Sequence, residues 1–242
     1  MELKECQKEA LDIARKKAKI HQYGLIYQIK NKLIELNMNE SFLDEFYNFI
    51  NNKVPIVSHG KFTFRNLLDE PILKNIYETN TKGNGYLVNR TNVESKMFNK
   101  KYDNCRPEER PKYASLNITM NKNGNPLCKN YGNKVIFFKN DIKKRTSFMY
   151  GDSFLGQMYL CNFEYPHALL YHMNNDIKKI QNIMNQHYDN LSQYIEVQIH
   201  GTVDLITDVE KIIITQKEYE TEIEDILIFK ELYEHIEIEI IP

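Results

Sequence analysis

The sequence has no tryptophan, and in 242 residues it has only nine glycines and seven prolines. That scarcity excludes collagen-like and Pro/Gly-rich low-complexity chains. No apolar run approaches the roughly 18 residues needed to cross a bilayer, so no membrane span is expected. The opening stretch MELKECQKEALDIARKKAK is charged throughout and lacks the apolar segment of a secretory signal. Cysteine is sparse. Cys6, Cys105, Cys128 and Cys161 lie far apart in the chain and make neither a CxxC pair nor a disulfide-dense pattern. Four reduced thiols and a cytoplasmic setting are therefore expected; delivery into another cell by a specialised secretion machine would leave the same sequence. The chain has no GxGxxG, no P-loop and no GxSxG, so conventional dinucleotide-binding, triphosphatase and hydrolase readings lose support. His167 and His172 stand five apart, not the four of the helical zinc-protease pair, and no metal site is expected.

What is present is an ordinary globular composition, 42% hydrophobic and 27% charged, with 16 Tyr and 12 Phe supplying bulk. The net charge of −1 conceals an asymmetry. Lys96 to Arg145 holds 13 Lys/Arg against 4 Asp/Glu, and Tyr194 to the end holds 13 Asp/Glu against 3 Lys. A basic middle suits an anionic ligand, either a dinucleotide pyrophosphate or a nucleic acid, and it also suits a plain solvated face. The acidic tail is expected on an outer surface.

Apolar spacing predicts helices over residues 2–52, carried first by Leu3, Cys6, Ala10, Ile13, Ala14 and Ala18 and later by Phe42, Phe46, Phe49 and Ile50. The pattern changes at Val54-Pro55. Residues 79–95, TNTKGNGYLVNRTNVES, read as a loop. Strand-like segments follow: KYASLNITM, NKVIFF, TSFMY, YIEVQIH, EKIIIT and the terminal EHIEIEIIP. A helix is expected from Asn174 to Leu191. The division is thus a helical cap, 1–52, on an antiparallel α+β core, 53–242.

Candidate site residues sit at strand ends and on polar strand faces. His59-Gly60 closes a short apolar strand, where a glycine lets a ligand approach the backbone; it also reads as a simple turn. Tyr113, Ser115 and Asn117 alternate with Ala114, Leu116 and Ile118, as on any half-solvated strand. Tyr150-Gly151-Asp152-Ser153 reads as a turn whose aspartate is also a possible metal ligand. In QYIEVQIH the aliphatics Ile195, Val197 and Ile199 alternate with Glu196, Gln198 and His200. A carboxylate on so apolar a strand is costly unless it lines a cleft or is paired with a cation such as Arg110 or Arg145. The expectation is that Glu196, Gln198 and His200 face a cleft.

The segments IVSHGKF, YETNTKGNG, ERPKYASLN, TSFMYGDS and YIEVQIHG, in this order, resemble a mainly bacterial family, domain-of-unknown-function family 3626, over roughly residues 54–242. The segment after His59 departs from that family's pattern, as does the loop at 78–85. The order of elements in turn resembles the ADP-ribosyltransferase superfamily. That resemblance implies a split β core and NAD as substrate. It makes His59, with Gly60, the early-strand element, Tyr113 or Ser115 the middle-strand element, and Glu196 the late-strand catalytic carboxylate, with Gln198 beside it. It further implies Arg110 and Lys112 at the pyrophosphate and Tyr150 stacked on the nicotinamide. Tyr194, at a position where arginine-modifying relatives carry a second Glu, argues against an arginine acceptor, leaving another protein side chain, a nucleic acid or water. Two other readings stand beside this one. In the first, a metal-dependent nuclease uses Asp152 and Glu196 with Gln198 replacing the usual lysine. In the second, the chain is a binding module without catalysis.

Overall fold

The computed structural model describes residues 2–156 and 158–242. In chain order the helices and strands are α1 (Glu5–Glu35), α2 (Phe42–Asn52), β1 (Ile56–Gly60), α3 (Phe64–Asp69), β2 (Ile72–Leu73), α4 (Ile76–Thr79), α5 (Asn84–Met97), β3 (Lys112–Leu116), β4 (Lys134–Phe138), β5 (Thr146–Tyr150), α6 (Ala168–Met173), α7 (Ile177–Met184), β6 (Ile195–Ile199), β7 (Val203–Asp204), α8 (Leu205–Asp208), β8 (Val209–Thr215), α9 (Gln216–Thr221), α10 (Ile223–Leu232) and β9 (Glu237–Ile241). Seven strands form one mixed sheet of order β5-β6-β3-β1-β4-β8-β9, and β2 pairs with β7. All neighbours in the large sheet are antiparallel except β8 and β9, which run parallel. The α+β class expected from the sequence holds. No helix among the described residues is long and apolar enough to cross a membrane.

Period-two alternation gives the sheet two unlike faces. One carries Ile56, Leu116, Ile136, Ile195, Val197 and Ile199 into the main hydrophobic core. Ile29 and Leu33 of α1 and Phe42, Phe46, Phe49 and Ile50 of α2 belong to that same core, so the N-terminal helices and the sheet share one apolar interior. The first half of α1 reaches the other face. There Ala10 and Ala14 pack with Met97, Phe98, Tyr102, Met149 and Leu160. Alanines four apart leave room for the helix to lie close to these larger groups.

Two segments differ from their expected form. Residues 79–95 do not form a loop throughout, because α5 occupies Asn84–Met97. Its Asn, Gly and Thr content disfavours helix locally, but Arg90, Glu94 and Met97, spaced four and three apart, are buried against the sheet. Tertiary burial therefore overrides propensity. The helix expected over Asn174–Leu191 is shorter: a 3-10 turn over Asn174–Asp176 leads into α7, and the chain leaves helical geometry near Gln186, whose φ is +62°.

The charge asymmetry resolves into ion pairs. Arg145 of the basic middle bonds to Asp208 at 2.7 Å, and Lys134 is paired with Glu222. Part of the acidic tail therefore neutralises the basic middle instead of standing apart from it.

Candidate active site

Register places the polar side chains of three adjacent strands on one face. Ser115 lies opposite Glu196 and Tyr113 opposite Gln198 across β3 and β6. On the other flank Met149 lies opposite Glu196 and Ser147 opposite Gln198. Val57 of β1 pairs with Ser115, so His59, two residues on, shares the face. β3 separates the His59 strand from the Glu196 strand.

This face is roofed. α5 and the turn at Ser153–Leu155 lie over it, and Glu196 is only 3% exposed, Gln198 and His200 0%. The expected open cleft is a closed polar layer. Glu196 Oε1 accepts from Gln198 Nε2 at 2.9 Å, and Oε2 accepts from the Ser153 backbone N–H at 3.3 Å. Arg90 Nη1 lies 3.9 Å from Glu196 Oε1 and donates to Ser153 Oγ at 2.8 Å. The Arg90 guanidinium is clamped between two rings, 4.1 Å from the Tyr113 centroid and 4.2 Å from that of Phe154. Its Nε is buried without a hydrogen-bond partner among the described residues. Burial raises the Glu196 pKa above the ordinary carboxylate value, and nearby Arg90 opposes the rise. Burial works against the Arg90 charge, but Tyr113, Glu196 and Tyr86 together outweigh it.

The polar layer continues past Gln198. Ser147 Oγ donates to Gln198 Oε1 at 2.9 Å and lies 3.3 Å from His200 Nε2. With the serine proton committed to Gln198, Nε2–H must be the donor to Ser147. His200 Nδ1 is then the acceptor, and Tyr102 Oη, 2.7 Å away, donates to it. The chain of bonds thus defines one neutral tautomer. Burial, followed by Arg145, lowers the His200 pKa to about 3. Because the unfolded imidazole titrates near 6.5, the unfolded chain binds more protons between those two values. His200 should therefore cost stability as pH falls from about 6.5 toward 3, on the order of a few kcal/mol at the acid end. Burial holds Glu94 above its ordinary value too. Glu94 and Glu196 favour the folded state as they protonate and so offset part of the loss. Thermal denaturation against pH checks this: His200→Asn should flatten the acid limb relative to wild type.

A second buried cluster adjoins the first. Glu94, 0% exposed, accepts from Arg110 Nη1 at 2.7 Å and from the Tyr113 hydroxyl at 3.0 Å. Arg110 stacks on Tyr77 at 4.4 Å. The guanidinium expected at a pyrophosphate is thus already neutralised inside the fold. Lys112 likewise turns away from the Glu196 face. It stands opposite Ile199, donates to Glu108 O at 2.7 Å and pairs with Glu78 at 3.3 Å. Tyr150 stands opposite Ile195, and its hydroxyl donates to Asp176 at 2.6 Å on the core side of the sheet. A period of two puts Met149, not Tyr150, beside Glu196, and Phe154 is the aromatic over that side. Ser115 Oγ donates to Val57 O over a long 3.5 Å. Asp152 caps the turn by accepting from the Phe154 N–H at 2.9 Å.

His59 is half-buried. Its Nδ1 lies 3.1 Å from Gly132 O, and its Nε2 has no partner among the described residues. Burial lowers its pKa, with the Gly132 bond opposing. Gly124, at φ +86°, passes so close that a Cβ there would come within 2.8 Å of Nε2. Gly60 meets Gly132, where a Cβ would fall 2.0 Å from Gly60 O. The residues the sequence reading missed are Arg90, Glu94, Ser153 and Phe154; the signal for the first two was their helical spacing with Met97. No family model matches the sequence, and no curated protein matches it.

Proposed function

We propose that the chain is an NAD-dependent ADP-ribosyltransferase acting on a macromolecular acceptor, with Glu196 as the catalytic carboxylate. One observation supports the reading most. Beside Glu196 lies a slot between the rings of Tyr113 and Phe154 that holds a planar cation, the Arg90 guanidinium. The pyridinium ring of NAD⁺ is also a planar cation, and its departure creates positive charge on the ribose next to where such a carboxylate would stand. In this reading Arg90, carried on α5, occupies the slot in the closed form and withdraws when NAD⁺ enters. His59, Tyr113 and Ser115 lie on the same sheet face as Glu196, in the strand order that the ADP-ribosyltransferase resemblance implies.

The C1′–N bond to nicotinamide breaks with its electron pair leaving on the ring nitrogen. Glu196 stabilises the oxocarbenium-like ribose, and the acceptor nucleophile bonds to C1′. The acceptor's proton passes to Glu196, whose raised pKa suits it to receive one. Gln198 fixes the carboxylate through Oε1. The nucleophile belongs to a protein side chain or a nucleic acid.

Calorimetric titration with NAD⁺, with no metal added, tests the reading. Wild type should bind, and Arg90→Ala should bind several-fold more tightly because the slot is no longer self-occupied. Absence of binding by both folded proteins would overturn the assignment. Loss of binding in Arg90→Ala alone would overturn the role given to Arg90.

A further inference from the structure

The cysteines that are remote in sequence are not remote in space. Cys6 lies in the first turn of α1 and Cys105 in the turn that follows Tyr102, and both are free thiols. Their Sγ atoms and a carboxylate oxygen of Glu109 all lie within 4.8 Å of one another. We infer that Cys6, Cys105 and Glu109 form a binding site for a thiophilic divalent cation of the zinc class, with water as the fourth ligand.

Donor set and geometry agree with that cation. Two thiolates, a carboxylate and water complete a tetrahedron, and zinc–sulfur bonds of about 2.3 Å place two sulfurs about 3.8 Å apart. With all three ligand atoms already within 4.8 Å of one another, the two sulfurs need approach by no more than about 1 Å to reach that spacing. The frame around the ligands is already fixed. Gln7, next to Cys6 and 3% exposed, accepts from the Lys4 N–H at 2.9 Å and donates to the carbonyl of Glu109 itself at 2.9 Å. Cys105 N–H donates to Tyr102 O at 3.2 Å. Arg106 grips the Glu109 carboxylate, with Nη2–Oε1 at 2.9 Å and its backbone N–H donating to Oε2 at 3.0 Å. Two thiolates and a carboxylate around a dication leave one negative charge, and Arg106 is placed to balance it. Oriented and charge-compensated ligands of this kind are what raise affinity at protein metal sites. The bound cation would clip the start of α1 to the segment entering β3.

The test is Co²⁺ titration of the reduced, chelator-treated full chain. One equivalent should produce the thiolate-to-cobalt charge-transfer band and strong visible bands of a tetrahedral site, both removed by Zn²⁺. Cys6→Ser and Cys105→Ser should each lose the charge-transfer band, Glu109→Gln should weaken binding while keeping it, and Cys128→Ser should change nothing. If the cysteine variants misfold, alkylation of wild type decides: Zn²⁺ should protect Cys6 and Cys105 from the reagent. No band in wild type, a band surviving in folded Cys6→Ser, or no protection by Zn²⁺ would overturn the site.

Discussion

Glu196→Gln should fold, bind NAD⁺ within a few-fold of wild type, and transfer ADP-ribose about 10² to 10³ times more slowly. Gln keeps the size of Glu and can still accept from the Ser153 N–H, with the Gln198 amide turned to accept from the new NH2 group, but it cannot oppose charge developing on the ribose. An interaction that strengthens only toward the transition state appears in kcat when it is lost, and one preorganised electrostatic group is worth about that factor. Stability should move the other way. The folded pKa of Glu196 lies above its ordinary value because of burial. Its contribution to stability is therefore complete below the ordinary carboxylate range and disappears as pH rises through the folded value. Above the ordinary carboxylate range the raised pKa is a cost to folding, so the neutral amide should hold or raise Tm at pH 7, and the difference should shrink at pH 4. Paired calorimetric scans at the two pH values and single-turnover kinetics check both halves. A Tm loss of several degrees at pH 7 would mean that the carboxylate is structural.

Glu94→Ala should be the most damaging single change on this face, destabilising by about 3 to 5 kcal/mol, because it strands the buried Arg110 charge and leaves the Tyr113 hydroxyl without its acceptor. In a chain of this length that corresponds to a fall of roughly 6 to 20 °C in Tm. The pair need not itself be a net source of stability, since burial raises the Glu94 pKa even against Arg110. The double replacement Glu94→Leu with Arg110→Met should accordingly recover much of the loss. Denaturant unfolding of the three proteins decides: if Glu94→Ala cost under about 1 kcal/mol, the ion pair would be no more than an exposed one in effect.

Alternation carried much of the fold in the sequence. Ile195, Val197 and Ile199 against Glu196, Gln198 and His200 announced a strand with unlike faces, and the register of β6 between β3 and β5 keeps them so. The polar face of β3 was legible for the same reason. The roof was not. Asn84–Met97 reads as turn-forming residue by residue, and only the burial of Arg90, Glu94 and Met97 makes it a helix. Nor could one strand show which face its neighbours share. Tyr150 and Lys112 looked like site residues until pairing with Ile195 and Ile199 put both on the core side. Arg110 was expected at a pyrophosphate or beside Glu196 because its actual partner, Glu94, belonged to a segment read as a loop. The Cys6–Cys105 pair was hidden in the same way, since 98 residues separate two thiols that α1 and the Tyr102 turn bring together.

Release of nicotinamide from NAD⁺ by the 242-residue chain, supplied with mixed protein and nucleic-acid acceptors and followed by mass spectrometry in parallel for wild type, Arg90→Ala and Glu196→Gln, tests the central claim most directly. The account predicts release by wild type, at least equal release by Arg90→Ala, and release from Glu196→Gln lower by about 10² or more. Equal release from all three, or none from wild type and Arg90→Ala while both remain folded, would contradict it.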